Sequence, residues 1–266
     1  MFRKEKIIAG LDIGSASIKM LAVKKRSEDN ELEVLGIAQE ASSGVKRGIV
    51  TNIDEVAKTI ESVSRRVGES SGQRINSAFI NINGNHVFSS SSHGTIAVSR
   101  ADQKISHEDV ERVIQAAQTF FLPSNKEIIE VFPKEFIVDG EKGIKEPLKM
   151  QGARLETEIL VLGGFSPYLK NLTQAALNAG LQINDWTVSP LAASRAVLTP
   201  RQKELGVALV DIGAGATSLA VFEEGDLIHL AILPVGSSNI TSDIAIGLRT
   251  DIDTAERIKL EFGSCF

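Results

Sequence analysis

A short polar stretch interrupts what otherwise reads as two buried strands near the start of the chain. Residues 7–19 read IIAGLDIGSASIK, so an aspartate, a glycine, two serines and a lysine directly follow an apolar run. Small residues let backbone N–H groups approach an anion closely, and successive N–H groups form an anion-binding nest. Serine hydroxyls add hydrogen-bond donors, and lysine adds a positive charge. This composition is typical of a phosphate-binding loop.

The same pattern recurs far along the chain, at residues 206–222. That segment reads GVALVDIGAGATSLAVF, which is an apolar strand, Asp-Ile-Gly, three small residues and a second apolar strand. One such loop is a weak signal, because an aspartate in a tight hairpin can simply cap its own turn. Two loops in the same strand context favour a two-sided phosphate site. The predicted phosphate-binding residues are Gly14, Ser15, Ala16, Ser17, Lys19, Gly213, Ala214, Gly215, Ala216 and Thr217.

Each loop also carries one aspartate, Asp12 in the first and Asp211 in the second. A carboxylate repels phosphate, so a cation must lie between them. Mg²⁺ is commonly held by one or two carboxylates together with phosphate oxygens and water. The pair therefore predicts a magnesium site formed by Asp12 and Asp211 across a cleft.

The elements that must position these loops follow from the apolar pattern. The first loop lies between two predicted strands, and residues 31–40 form a third. A helix follows, with Asn52 as its N-cap and Glu55 completing a capping-box pattern. Residues 75–83 alternate as a strand, and the second loop has the same strand–turn–strand–turn–strand layout as residues 7–40.

The middle of the chain has a different character. Residues 84–105 are rich in Ser, Gly and Asn and read as a hairpin with loops. A helix is predicted from Ser106, followed by two strands, so residues 84–162 read as an inserted subdomain. Two more helices are expected afterwards, one ending at Gly180 and one with Pro190 in its first turn.

Composition excludes several classes of protein. The 266 residues carry a net charge of -5, with a pI near 5.5, which argues against a nucleic-acid binder. The single cysteine, Cys265, allows no internal disulfide and fits a reducing cytoplasm. No run reaches the roughly 18–20 apolar residues of a membrane span. The four histidines have no ligand spacing for a metal.

The two loops resemble the phosphate motifs of the actin-like ATPase superfamily. Residues 189–194, SPLAAS, look like its helix between domains, and residues 255–259, AERIK, resemble its adenosine-contacting helix. The resemblance implies ATP and Mg²⁺ as ligands, with Glu256 and Lys259 holding ribose and adenine. It also implies a two-domain, actin-like (ribonuclease H-like) α/β fold.

Within the superfamily the chain resembles the FtsA family of bacterial cell-division proteins, most specifically at residues 233–259. The fold expected is then α/β with an inserted α+β subdomain, called 1C, and an incomplete second domain. The expected boundaries are 1–83 and 163–203 for subdomain 1A, 84–162 for 1C, 204–236 for the start of 2A, and 237–266 for the start of 2B. The chain is expected to be a truncated piece, lacking the rest of 2B, a second adenosine-binding turn and a C-terminal membrane helix.

The FtsA resemblance implies a protein that links FtsZ filaments to the inner face of the cytoplasmic membrane. It implies self-association into actin-like filaments, contacts with other division proteins through 1C, and membrane attachment through the missing helix. FtsZ binding by this chain is expected to be weak or lost. The alternatives are a pilus-assembly protein resembling PilM and a small-molecule kinase of the same superfamily.

One residue differs from the superfamily pattern at a position that matters for catalysis. Related actins and chaperones place a glutamate before the proline of the connecting helix, where it helps to position the attacking water. Here that residue is Ser189. Because serine is no general base without activation, we expect ATP binding with weak or no hydrolysis.

Overall fold

The structure is a computed structural model, and it describes residues 7–26, 31–99, 101–119 and 123–264. Cys265 lies outside these ranges. The helices are α1 (Ile53–Ser71), α2 (His107–Thr119), α3 (Ser166–Asn178), α4 (Ser189–Val197), α5 (Pro200–Leu205), α6 (Ser237–Leu248) and α7 (Ile252–Phe262). The strands are β1 (Ile7–Ile13), β2 (Ser17–Lys25), β3 (Leu32–Ala41), β4 (Val45–Lys46), β5 (Ile49–Val50), β6 (Ser77–Ile82), β7 (Phe88–Ala97), β8 (Lys126–Val138), β9 (Glu141–Ile144), β10 (Arg154–Phe165), β11 (Gln182–Val188), β12 (Val207–Ile212), β13 (Thr217–Glu223) and β14 (Asp226–Leu233).

The first sheet has five strands in the order β11-β6-β1-β2-β3. Strands β1, β2 and β3 are antiparallel neighbours, whereas β6 and β11 are parallel additions. Helix α1 covers the sheet with an apolar stripe that includes Val56, Ile60 and Val63. The predicted strands and the predicted helix are confirmed.

The N-terminus of α1 differs in one detail from the predicted capping box. Asn52 does cap the helix, because its side-chain oxygen accepts the N–H of Glu55 at 3.3 Å. The Glu55 carboxylate, however, accepts the hydroxyl of Ser43 in the preceding loop. The glutamate thus ties that loop to the helix.

A second sheet, with three strands in the order β12-β13-β14, repeats the first three strands of the five-stranded sheet. The register is the same in both hairpins. Asp12 pairs with Lys19 between β1 and β2, and Asp211 pairs with Ser218 between β12 and β13. The two predicted loops therefore occupy equivalent positions in two equivalent hairpins.

The middle of the chain forms a sheet of its own, with the order β7-β10-β8-β9 and α2 packed against it. The prediction of a hairpin over residues 84–105 is wrong, because residues 88–97 form one ten-residue strand. Its serines are strand residues, and two of them donate hydrogen bonds to neighbouring elements. Ser92 donates to the carbonyl of Ala117 in α2, and Ser89 donates to that of Leu230 in β14, both at 2.7 Å.

Asp109 fixes the start of α2. Its carboxylate is fully buried and accepts hydrogen bonds from the backbone and hydroxyl groups of Ser99 and Ser106. Arg112 adds an ion pair at 3.0 Å. Burial alone would raise the pKa of Asp109, but the bonds from Ser106 and Ser99 outweigh it and lower that pKa well below its ordinary value.

One continuous apolar core underlies both the first sheet and the three-stranded sheet. It runs from β1 and β2 residues such as Ile18 and Met20 to Ala220 and Leu230 in the second hairpin. This shared core brings the two hairpins to a common cleft. Among the described helices, none combines the length and the apolarity needed to cross a membrane.

Candidate phosphate-binding site

The turns of the two equivalent hairpins face each other across a cleft of about 140 Å³. Asn83 at the end of β6 and Ser189 at the start of α4 complete its wall. The predicted residues that line the cleft are Asp12, Gly14, Ser15, Ala16, Ser17, Lys19, Asp211, Gly213, Ala214, Gly215 and Ala216. The structure thus brings nearly all of the predicted phosphate site together.

Both loops are the same kind of turn. The N–H of Gly14 donates to the carbonyl of Ser17 at 3.1 Å, and the N–H of Gly213 donates to that of Ala216 at 2.9 Å. A Cβ on Gly14 would lie 2.9 Å from the Ser17 carbonyl oxygen, so the first turn is too tight for a side chain there. Glycine is required for this geometry.

The tips of the loops leave backbone donors open. No hydrogen bond to another described residue satisfies the N–H groups of Ser15, Ala16, Ala214 and Gly215. Unpaired N–H groups on small residues at a cleft suit an anion. This is the structural feature that fits a phosphate group best.

The second loop is braced from behind by α6. The N–H groups of Ser237 and Ser238 donate to the carbonyls of Gly213 and Ala214, each at 2.9 Å. These donors at the start of α6 are therefore used to hold the loop. A Cβ on Gly236 would lie 2.5 Å from both carbonyl oxygens, so glycine permits this close approach.

Asp12 is held on both of its oxygens. Its Oδ1 accepts the side-chain amide of Asn81 at 2.7 Å, and its Oδ2 pairs with Lys19 at 3.2 Å. Asn81 is almost completely buried, and its own oxygen accepts the N–H of Ile13 at 2.7 Å. Sequence reasoning missed Asn81. The stretch INSAFININ contains three asparagines, and nothing in the sequence distinguishes Asn81 from the other two.

Ser189, the first residue of α4, lies at the wall of the cleft. Its hydroxyl donates to the carbonyl of Ile82 at 3.2 Å and accepts the Asn81 amide at 3.0 Å. The hydroxyl proton is therefore engaged by a backbone carbonyl. No base in contact with this hydroxyl is present among the described residues, which fits a structural role.

The donor set suits Mg²⁺. Asp12 and Asp211 line the same cleft, and the Asp211 carboxylate is exposed and forms no hydrogen bond or ion pair with any described residue. Two carboxylates beside phosphate-binding loops match the preference of Mg²⁺ for oxygen ligands, phosphate and water. The described residues hold no cluster of three or more metal-ligating side chains. Any cation here would therefore take further ligands from phosphate and water.

Thr217 and the predicted adenosine residues are not among the residues that line this cleft. The hydroxyl of Thr217 donates to the carbonyl of Val235 at 2.7 Å. Lys259 pairs with Glu256 at 2.6 Å and donates to Thr241 at 2.9 Å, which joins α7 to α6. The ion pair with Lys259, together with the hydroxyl of Thr241, lowers the pKa of Glu256. Lys259 also reaches the Ser237 carbonyl at 3.4 Å, next to the braced second loop.

Solved structures of similar shape define the class of protein. The PilM–PilN type IV pilus biogenesis complex matches with a TM-score of 0.71 and 17% identity, over 96% of this chain and 70% of that chain. The ethanolamine utilization protein EutJ from Carboxydothermus hydrogenoformans matches at 0.55 and 17%, over 98% and 64%. The chain has the actin-like ATPase fold, as predicted.

Sequence comparison then narrows the class. Residues 84–162 match the model of the SHS2 domain inserted in FtsA, and residues 208–266 match that of cell division protein FtsA. The chain belongs to the FtsA family of cell-division proteins, and the predicted resemblance is confirmed.

Individual relatives agree. Cell division protein FtsA of Pseudomonas aeruginosa is 38% identical over 97% of this chain and 61% of its own length. The Bacillus subtilis protein is 38% identical over 98% and 59%. The Escherichia coli protein is 29% identical over 97% and 61%. The chain thus spans about three fifths of the length of these relatives.

Proposed function

We propose that the chain binds Mg-ATP in the cleft between its two hairpins and hydrolyses it slowly or not at all. The observation that carries the proposal is the pair of facing turns, each with open backbone N–H groups and one aspartate. Ser15, Ser17 and the backbone N–H groups of both loops would hold phosphate oxygens, and Lys19 would neutralise part of the phosphate charge. The carboxylate oxygens of Asp12 and Asp211 would hold Mg²⁺. Glu256 and Lys259 would meet the adenosine.

Slow turnover follows from Ser189. Hydrolysis needs a group that orients and deprotonates water, and a serine hydroxyl that is bonded to a carbonyl cannot do this. The bound Mg²⁺ would supply charge stabilisation to the phosphates. The protein groups described here bind and orient the nucleotide.

The cellular role that we propose is that of the family. The protein would act at the inner face of the cytoplasmic membrane, link FtsZ filaments to it, and assemble with copies of itself and with other division proteins, the latter through residues 84–162. The FtsA relatives at 38% identity favour this role over that of PilM, whose likeness at 17% identity supports the fold alone. Because FtsZ binding by this chain alone is expected to be weak or lost, co-sedimentation with FtsZ filaments on lipid vesicles tests the role with a version that spans the full length of the FtsA relatives.

The nucleotide proposal is tested with D211A. Because the Asp211 side chain forms no hydrogen bond or ion pair with a described residue, its loss should leave the fold intact, and we expect Mg-ATP affinity to fall roughly 10-fold or more. Calorimetric titration measures this, with thermal unfolding as a check on folding. Asp185 is also exposed but lies outside the lining of the cleft, so D185A serves as the matched control. Unchanged affinity in D211A would refute the metal role.

A small-molecule kinase on the same fold would behave differently. It would transfer the terminal phosphate of ATP to a hydroxyl, and this needs an acidic base facing the acceptor. A screen of hydroxylated acceptors with ATP separates the two functions. Rapid transfer to any of them would contradict the proposal.

A further inference from the structure

A tight turn between β4 and β5 touches both phosphate loops. The turn residues are Arg47 and Gly48, and the N–H of Gly48 donates to the hydroxyl oxygen of Ser15 at 2.8 Å. On the other side, a Cβ on Gly215 would lie 3.1 Å from both the N and the Cα of Arg47 and 2.9 Å from Ser15 Oγ. The first loop, the second loop and this turn therefore meet at one point.

A second cleft opens at that point. It has a volume of about 320 Å³ and is lined by Ser15, Gly215, residues 45–47, and Ser238, Asn239 and Ser242 of α6. Ser15 and Gly215 line both this cleft and the phosphate cleft, so the two are neighbours. Lys46 and Arg47 provide the basic side chains of its lining, and both are exposed.

The backbone of the turn is unusual for an arginine. Arg47 has φ of 52° and Gly48 has φ of 76°, so both central residues are left-handed, as in a two-residue hairpin turn of type I′. Asn-Gly suits this turn best, and a long side chain in the left-handed region costs free energy. An arginine held there at the edge of a candidate site points to a role for its charge.

The phosphate cleft has little positive charge of its own. Its charged lining consists of Asp12, Asp211 and Lys19, and Lys19 is paired with Asp12. A nucleoside triphosphate carries several negative charges beyond those that one Mg²⁺ neutralises. Neither Lys46 nor Arg47 forms an ion pair with a described residue, so both cations are available.

We infer that Arg47, assisted by Lys46, contacts the terminal phosphate of the nucleoside triphosphate from the rim of the cleft. The inference rests on the proposed nucleotide site and assigns it a further ligand-binding residue. Arg47 then distinguishes a triphosphate from a diphosphate, because only the triphosphate extends to the turn. Guanidinium groups suit this task, since they bind phosphate oxygens in a two-pronged geometry.

The test is R47N, titrated with Mg-ATP and with Mg-ADP in a calorimeter. Asparagine adopts the left-handed turn readily, so the change removes the charge and keeps the backbone. We expect Mg-ATP affinity to fall roughly 5- to 20-fold and Mg-ADP affinity by less than about 2-fold. The difference between wild type and variant should shrink at high ionic strength.

The matched control is R249N. Arg249 is also an exposed arginine with a left-handed backbone, φ 54°, but it ends α6 outside the lining of both clefts. Its substitution should change neither affinity. K46Q should weaken Mg-ATP binding in the same direction as R47N, by a smaller factor.

The outcomes separate this inference from the proposed function. If the wild-type chain binds Mg-ATP and R47N binds it equally well, the role of Arg47 is refuted and the nucleotide site stands. Equal losses for Mg-ATP and Mg-ADP would also refute a contact with the terminal phosphate. If the wild-type chain binds neither nucleotide, the proposed function is overturned and this inference with it.

Discussion

At the scale of single residues, Asn81 organises the first half of the site. It satisfies the buried N–H of Ile13, orients one oxygen of Asp12 and reaches Ser189. A group that positions a metal-binding carboxylate restricts the geometry of the site as much as the carboxylate itself does. The Asp12 half of the candidate magnesium site is therefore assembled by β1, β6 and α4 together.

The N81A variant tests this arrangement. It leaves the N–H of Ile13 buried without a partner, so we expect a loss of about 1–3 kcal/mol in the free energy of unfolding. Urea unfolding followed by circular dichroism measures it. N178A, at an exposed position near the end of α3, should stay within about 0.5 kcal/mol of the wild type. A loss no larger in N81A than in N178A would contradict the buried contact.

The site residues show what the sequence could predict. The two Asp-Ile-Gly loops were predictable because each sits in its own strand–turn–strand pattern and the pattern occurs twice. Asn81 was not, because the sequence does not reveal which of the three asparagines in residues 75–83 has a partner. Arg47 was not, because a Lys-Arg-Gly turn reads as an ordinary solvated surface until the second loop is seen packed against it.

At the scale of elements, β7 shows how a polar strand is held in place. Its serine-rich sequence predicts a hairpin with loops, but hydrogen bonds from its hydroxyls to α2 and β14 compensate for low hydrophobicity. Gly94 lies at the closest approach to α2. A Cβ there would lie 2.5 Å from both the N of Ala117 and the carbonyl oxygen of Val113.

The G94A variant tests how closely α2 packs against β7. The added methyl group must push α2 away from the sheet, so we expect a loss of about 2 kcal/mol or more in unfolding free energy. Chemical denaturation is again the measurement. G10A is the control within a strand, because a Cβ on Gly10 meets no atom within 4 Å. Equal stability of the two variants would mean that the helix and strand are not packed this closely.

At the scale of the whole molecule, His86 lies where the middle sheet joins the rest of the chain. Its Nδ1 accepts the N–H of Phe165, and its ring packs on Tyr168 at 5.1 Å. His86 therefore connects the segment between β6 and β7 with the end of β10, just before α3. Burial lowers the pKa of His86, although a backbone hydrogen bond at Asn83 opposes this.

The lowered pKa of His86 predicts a pH dependence. The native state favours the neutral ring. The contribution of His86 to the free energy of unfolding is therefore present above the unfolded pKa of about 6.5, and it is lost as the pH falls through the lower native pKa. The loss is about 1.4 kcal/mol for each tenfold change in proton affinity. We expect H86Q to lose less stability than the wild type between pH 7.5 and pH 5, measured by urea unfolding. Parallel curves would exclude a contribution from His86.

The shared register of the two hairpins has one more consequence. Both turns have the same glycine N–H to carbonyl bond and the same register, so the site has an approximate twofold repeat, yet Lys19 stands opposite Asp12 while Ser218 stands opposite Asp211. Two identical halves would accept a chain of phosphates in either direction with equal ease. The single lysine breaks that equivalence, and Arg47 adds positive charge at the rim. In the proposed complex one orientation of the phosphate chain in the cleft is therefore lower in energy than the reverse orientation.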